Sequence, residues 1–277
     1  MPELPEVETM CRGLRFLAGR RLLSIGSCRC AARPIRIVPA LPRIGRKLKG
    51  RRLHRVWRLG KSVVFDFGSA GRLVYEPRMT GLVLRADPPG RSHLRVRLEF
   101  QGTPSADVWI WDRRGLSTLR WVDDNEWQHD LARRKLGPDA LAVSARELEE
   151  RLAGSSMAIK VALMDQKKIA GIGNLYAAEI LHLARIDPRR TCRSLEKSEW
   201  RRLRNSMGRI LREAIHYEGS TLGDGTYRNS LNEPGSYQSR HRVYGRAGEP
   251  CPRCRGPVIE RIVQNQRSTF FCPVCQR

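Results

Sequence analysis

Two cysteine pairs, Cys251-Pro-Arg-Cys254 and Cys272-Pro-Val-Cys275, stand 17 residues apart near the C-terminus. Two CxxC pairs at this separation bring four thiolates to one point, the donor set of a tetrahedral structural zinc. The intervening VIERIVQNQRSTFF reads as two strands around a turn at Asn265–Ser268. The predicted unit is therefore a zinc ribbon, holding one zinc ion per chain. A redox-active CxxC would instead follow a strand and open a helix. Cys11, Cys28, Cys30 and Cys192 lack such spacing and read as free or buried thiols. Arg267 falls near the hairpin tip, where a cation on a rigid element suits contact with DNA phosphates or a minor groove.

The rest of the chain must supply at least one further core. It has 277 residues, a length that suits two or more domains, and 40% hydrophobic residues, enough to bury real interiors. Lys plus Arg number 52 against 28 Asp plus Glu, for a net charge of +24. Such an excess implies a polyanionic partner, nucleic acid before an anionic membrane surface. The cations are spread along the chain, which favours folded surfaces over a disordered arm. No stretch approaches the ~18 apolar residues of a membrane span, and the acidic N-terminus has no apolar signal region. The expectation is a cytoplasmic protein without a secretion signal.

The periodicity changes along the chain. PEVETMCRGLRFLAG, residues 5–19, places Val7, Met10, Leu14 and Leu17 at helical spacing, with Pro5, Glu6 and Glu8 suited to a first turn. From about 20 to 122, short alternating runs such as RLHRVW, KSVVFDF, LRVRLEF and DVWIWD predict an antiparallel β-sandwich or barrel. Residues 123–156 read as a charged helical connector. IKVALMDQKKIAGIGNLYAAEILHLARI reads as helix, tight GIGN turn, helix, and SEWRRLRNSMGRILREAIHYEG as a long amphipathic helix. A Gly-, Ser- and Asn-rich loop follows at 219–248. The expected fold class is α+β multidomain: residues 1–130 an N-terminal helix plus β-sandwich, 131–240 a helical domain with a loop, and 241–277 the zinc finger.

The N-terminus carries chemistry of its own. Once Met1 is removed, Pro2 presents a secondary amine at the chain start. An α-amino group has a pKa of about 7.7–8.0 against about 10.4 for lysine, so it is a nucleophile at neutral pH without burial. Attack on carbon by a secondary amine yields an iminium that is cationic without further protonation. Glu3 stands beside it as a general acid/base. The glycines of GIGN, Gly171–Asn174, expose backbone N–H groups ahead of a helix, a setting that favours phosphate.

MPELPEVET, together with KSVVFDF, EPRMTG, DRRG, AIKVALMDQKKIAGIGNLYAAEI, VYGRAGEPC and QRSTFFC, resembles the formamidopyrimidine-DNA glycosylase and endonuclease VIII family over nearly the whole chain. That resemblance implies a helix-bearing β-sandwich, a helix–two-turns–helix domain and a zinc finger. It implies a bifunctional DNA glycosylase/AP lyase of base excision repair, acting on damaged double-stranded DNA as a monomer at the nucleoid, away from membranes. Pro2 would attack C1′ of the damaged nucleotide, and Glu3 would assist base departure and sugar-ring opening. Lys61 matches the family lysine assigned to β-elimination. Lys160 and Asn174 match phosphate-binding positions, and Arg267 the finger arginine linked to δ-elimination. His93 aligns loosely with a DNA-contacting histidine. Met79 matches the methionine that fills the space of the extruded base, and Arg113 the arginine facing the orphaned partner base.

Two positions depart from the family pattern. DRRGL replaces DPRRFG, so Gly115 or Leu116 stands where a Phe wedge is usual, and Glu76 occupies the place of a phosphate-contacting His, with Arg78 near it. GSTLGDGTYRNSLNEPGSYQSRHRVYGR resembles the formamidopyrimidine branch, where a mobile loop covers an oxidised purine, with Gly219, Gly223, Gly225 and Gly235 as expected hinges. The expected substrates are 8-oxoguanine and formamidopyrimidines. The alternatives are an endonuclease VIII-like enzyme for oxidised pyrimidines and a non-catalytic DNA-binding paralogue.

Overall fold

The computed structural model describes residues 2–102, 106–128, 136–256 and 258–277. They form two compact units. One comprises residues up to 134 together with 217–238, the other 135–216 together with 239–277.

The first unit begins with a helix, Leu4–Gly13. Glu3 precedes its first turn, and Pro5 supplies a pre-set φ where no intrahelical N–H partner is needed. Val7, Met10 and Leu14 are fully buried on one stripe. The single helix expected over 5–19 is shorter: it ends at Gly13, and a 3₁₀ turn, Arg15–Leu17, carries Leu17 into the core.

Two sheets pack around this helix. The strands β1 (Leu22–Ser27), β2 (Arg36–Val38), β3 (Arg55–Leu59), β4 (Ser62–Asp66), β5 (Arg72–Glu76), β6 (Gly81–Leu84), β7 (Leu94–Phe100), β8 (Ala106–Asp112) and β9 (Thr118–Val122) divide between them. One sheet has the order β1-β7-β8-β6, the other β2-β9-β5-β4-β3. All pairings are antiparallel except β2 with β9, which is parallel. The period of two sorts side chains between faces. Val63, Phe65, Leu73 and Tyr75 join the main core with Val96, Leu98, Val108 and Ile110. Val64 and Val74 point the other way, onto Val122 and Trp127. Both faces of β4 and β5 are thus covered, which explains the unbroken apolar run SVVF.

One element of this region escapes the β reading. LPRIGRKL forms the helix Leu41–Leu48, with only Ile44 and Leu48 buried, four residues apart. Two inward residues around a mid-helix glycine give too short a pattern to separate helix from strand.

In the second unit, Ser144 caps the helix Ala145–Leu152 by accepting from Glu147 N at 3.1 Å. The helix Ile159–Met164 ends earlier than the sequence suggests. Residues 165–173 form the turns, held by Gln166, which donates to Met164 O and Ile172 O and accepts from Gly171 N. The helix Asn174–Ala184 starts on the last residue of GIGN. The long helix Lys197–His216 buries Trp200, Leu203, Met207, Ile210, Leu211 and Ala214, a stripe at helical spacing. Glu179, fully buried, accepts from the backbone N–H groups of Arg242, Val243 and Tyr244 and so fixes the chain that leads into the cysteine ribbon. That ribbon contains β10 (Glu260–Gln264) and β11 (Arg267–Phe271). Among the described residues, no helix is long and apolar enough to cross a membrane.

The segment 217–238, expected as a loop of the helical domain, packs into the first unit. Tyr227 and Tyr237 are buried, and Asn229 closes a turn by accepting from Leu231 N and Glu233 N. Gly219 and Gly235 serve close approach rather than hinging. A Cβ on Gly235 would lie 2.4 Å from Gly219 O, and one on Gly219, at φ +80°, would lie 2.8 Å from Glu6 Oε1. Of the four expected hinges, only Gly223 and Gly225, in the exposed tip, have open space around them.

Candidate active site and zinc centre

In the first unit, Pro2 and Glu3 are buried at the head of the helix Leu4–Gly13. Glu6 holds them there. Its Oε2 accepts from Glu3 N at 2.9 Å, while its Oε1 accepts from Ser220 N at 2.9 Å. Tyr227 Oη adds a bond to Glu6 O at 3.4 Å. One carboxylate therefore anchors the N-terminal residues to the segment 217–238. Met1 lies outside the described residues.

Lys61 occupies the two-residue turn Gly60–Lys61 that joins β3 to β4. The neighbouring Arg58 donates to Gly60 O at 3.1 Å and to Glu8 Oε2 at 3.3 Å. Glu8 sits on the helix that carries Glu3, so this guanidinium ties the Lys61 turn to the Pro2–Glu3 helix.

Met79 lies at an exposed turn after β5, not inside a strand, and is 38% exposed. Arg78 beside it has φ +53° and pairs with Glu76 at 3.0 Å. Arg113 and Arg114 are exposed in the turn between β8 and β9, and Arg113 lies 3.8 Å from Asp224. One buried group organises both turns. Asp112 Oδ1 accepts from Thr80 Oγ1 at 2.5 Å and from Arg114 N at 3.1 Å, and its Oδ2 accepts from Ser117 N and Oγ at 2.9 and 2.8 Å. The buried Arg95 donates twice to Asp112 O. Burial disfavours the Asp112 carboxylate, but the bonds from Thr80, Ser117 and Arg114 outweigh it and hold the carboxyl below its usual range.

Gly115 is excluded as a wedge. Its φ is +63°, and a Cβ would lie 2.2 Å from Arg33 O. Leu116 is half-buried. His93 packs edge-on against Trp111, with ring centroids 5.4 Å apart.

In the second unit, Lys160, Asn174 and the zinc hairpin meet. Lys160 is 1% exposed. Its ammonium donates to Asn174 Oδ1 at 2.7 Å, Thr269 Oγ1 at 2.7 Å and Ser268 O at 3.3 Å, while Asn174 Nδ2 donates to Ser268 O at 3.0 Å. Lys160 is thus an internal strut that joins the turns to the hairpin, and the groups turned outward are the half-buried Asn174 and the exposed Arg267. The hairpin turn is tighter than expected. Asn265 and Gln266 alone form it, both at positive φ, and Arg267 already pairs with Gln264 as the first residue of β11. A cleft of about 360 Å³ opens there, between Lys160, Met164 and Arg267.

The four sulfurs of Cys251, Cys254, Cys272 and Cys275 lie within 4.8 Å of one another. Cys251 and Cys275 are 3.8 Å apart, the edge of a tetrahedron whose metal–sulfur bonds are about 2.3 Å. The donor set and its spacing fit structural zinc. The buried His182 places Nε2 3.5 Å from Cys251 Sγ, an outer partner for that thiolate. The other four cysteines form no disulfide, Cys11 and Cys192 being buried and Cys28 and Cys30 half-buried.

Sequence reasoning passed over Asp112, Arg58 and the second bond of Glu6. The Glu3-x-x-Glu6 spacing signals a helix start, but nothing near it in sequence points to Ser220. Asp112 and Arg58 act on partners in other strands or turns, which no local pattern encodes.

Comparison with known proteins follows the same division. The formamidopyrimidine-DNA glycosylase N-terminal domain model matches residues 1–119, the H2TH domain model of the same enzymes matches 136–225, and a zinc finger found in FPG and IleRS matches 248–277. The formamidopyrimidine-DNA glycosylase of Laribacter hongkongensis is 39% identical over 282 residues, covering 100% of both chains. That of Thermus thermophilus is 38% identical, over 100% of this chain and 98% of the relative. Among solved structures, a Lactococcus lactis FPG mutant in complex with Fapy-dG DNA superposes with a TM-score of 0.87 at 31% identity, over 100% of both chains. MutM in complex with carbocyclic 8-oxo-G DNA gives 0.85 at 30% identity, again over 100% of both.

Two outcomes follow from this geometry. Because the native Asp112 carboxyl titrates below its unfolded value of about 3.9, its stabilisation is present above that pH and is lost as pH falls through the native value. Asp112→Asn should cost about 2 kcal/mol at neutral pH, and thermal melts of the two proteins should converge below about pH 4. A gap that stays constant with pH would contradict this assignment. Cys254→Ser should reduce bound zinc from one per chain to near none and weaken DNA binding, while the first unit stays folded by near-ultraviolet dichroism. Unchanged zinc content would count against the four-thiolate site.

Proposed function

This chain belongs to the formamidopyrimidine-DNA glycosylase family, and we propose on that basis how its own residues carry out the reaction. It is a zinc-containing, DNA-binding base-excision-repair enzyme, a DNA glycosylase and AP lyase. The names of its relatives and the Fapy-dG and 8-oxo-G ligands of similar solved structures support oxidised purines as its substrates.

The observation that carries the assignment of roles is the fixing of Pro2 and Glu3 by Glu6 at a helix head. With Met1 removed, the Pro2 nitrogen attacks C1′ as the bond to the damaged base breaks. Glu3 delivers the proton that opens the sugar ring, leaving a cationic iminium between Pro2 and C1′. Loss of a C2′ proton then expels the 3′ phosphate, with Lys61 beside the departing group. Arg267 grips the backbone and assists the second elimination, and Asn174 binds phosphate. Lys160 acts by holding Asn174 and the hairpin in place. Met79 enters the space left by the extruded base, Arg113 reads its partner, and His93 flanks the strand.

The acidic Glu76 does not favour a non-catalytic protein, because Arg78 neutralises it at 3.0 Å. The enzyme works as a monomer on nucleoid DNA in the cytoplasm.

Borohydride trapping tests the nucleophile. Protein with Met1 verified absent should form an adduct with an 8-oxoguanine:C duplex and with an abasic duplex, and Pro2→Gly should form neither. An adduct on abasic DNA alone would mean an intact lyase with different base recognition, pointing to oxidised pyrimidines or to a damaged wedge. None on either, with binding intact, would reject the enzymatic assignment. Lys160→Ala and Asn174→Ala should each weaken binding to damaged and undamaged duplexes by the same factor, read by fluorescence anisotropy. A loss confined to lesion DNA would overturn their backbone role.

A further inference from the structure

The densest positive charge in the first unit lies away from Lys61. Residues 43–55, RIGRKLKGRRLHR, contain seven Lys or Arg and no acid. The helix Leu41–Leu48 ends there, the chain turns through Gly50, and β3 begins. The result is an open cavity of about 380 Å³ walled by Arg21, Arg46, Lys49, Arg51, Arg52 and His54. All six are exposed.

These charges are not balanced from within. Among the described residues, no carboxylate lies within ion-pairing distance of Arg46, Lys49, Arg51 or Arg52, whereas the nearby Arg55 and Arg72 both pair with Asp66, at 3.2 and 3.5 Å. The helix C-terminus does not account for them either. Its dipole offers about half a negative charge, and Arg21 already caps the turn by donating to Gly50 O at 2.8 Å. Crowding several unpaired cations costs self-repulsion, which a polyanion relieves.

The lining also defines the kind of anion. Phe67 is only 3% exposed, so its ring is not offered to a base, and apart from the His54 imidazole the walls are long, exposed cations rather than fixed hydrogen-bonding groups. Such a surface reads phosphates without reading sequence. The cavity and Lys61 stand at opposite ends of the β3–β4 hairpin, about 17 Å apart for five residues at about 3.3 Å each.

We propose that this cavity is a second DNA-backbone site, which holds undamaged duplex outside the footprint of the lesion site. The proposal rests on the DNA-repair reading above. Its role is retention on long DNA during search, when binding is electrostatic and independent of sequence.

The test removes Arg46, Lys49, Arg51 and Arg52 together, each to Ala. On a long undamaged duplex, the slope of log affinity against log salt should fall in magnitude by about 2 or more, at about 0.9 for each phosphate no longer neutralised. Single-turnover cleavage of a short abasic duplex at saturating protein should be unchanged. An unchanged slope with unchanged cleavage overturns the second site and leaves the repair assignment intact. No trapping or cleavage by the parent protein overturns the repair assignment instead. Amine acylation of the unaltered protein gives an answer that needs no variant. Lys49 should be protected by the long duplex and labelled freely with the short one. Protection by inorganic tripolyphosphate but not by the long duplex would overturn DNA as the occupant.

Discussion

The carboxylate of Glu6 is the joint on which the head of the first unit depends. A helix start leaves N–H groups without partners, and an acidic residue in its first turn ordinarily satisfies one. Glu6 does this for Glu3 with one oxygen and turns the other to Ser220, 214 positions away. A neutral amide at this position presents only one acceptor oxygen, and a shorter acid does not span the same gap. The acidic opening of a strongly basic chain thus has a physical reason. It fixes an N-terminus that would otherwise be among the most mobile parts of a protein.

The same arrangement recurs at Asp112, Glu179 and Lys160. Each is a buried ionic group bonded to several groups outside its own helix or strand. A buried charge is costly unless fully bonded, so each acts as a geometric lock whose partners have few alternative positions. Asp112 locks the turns of Met79 and Arg113, and Lys160 locks the GIGN turn to the zinc hairpin. The exposed side chains offered to a ligand are therefore carried by inflexible supports.

Much of this was legible in the sequence. The zinc ribbon followed from cysteine spacing, the sandwich from alternation, and the long helix from its apolar stripe. Resemblance supplied the candidate site residues. What sequence did not convey was mostly of one kind, contact between residues far apart in the chain. Lys160 matches a phosphate position yet points inward, because Ser268 and Thr269 reach it from the hairpin. Gly219 and Gly235 resemble hinges yet pack against each other. The helix Leu41–Leu48 was missed for a different reason, a local pattern too brief to carry a period.

The segment 217–238 returns to the first unit after the chain has traced most of the second. Ser220 and Tyr227 are therefore translated long after the helix they steady. At about 5–20 residues per second, the roughly 100 residues between 134 and 238 take on the order of 5–20 s to emerge. Until then the N-terminal sandwich lacks the partner of Glu6 and the Tyr227 that completes its core. The nascent chain accordingly carries Pro2 and Glu3 on a helix head that lacks its anchor, and the first unit closes only when synthesis is nearly over.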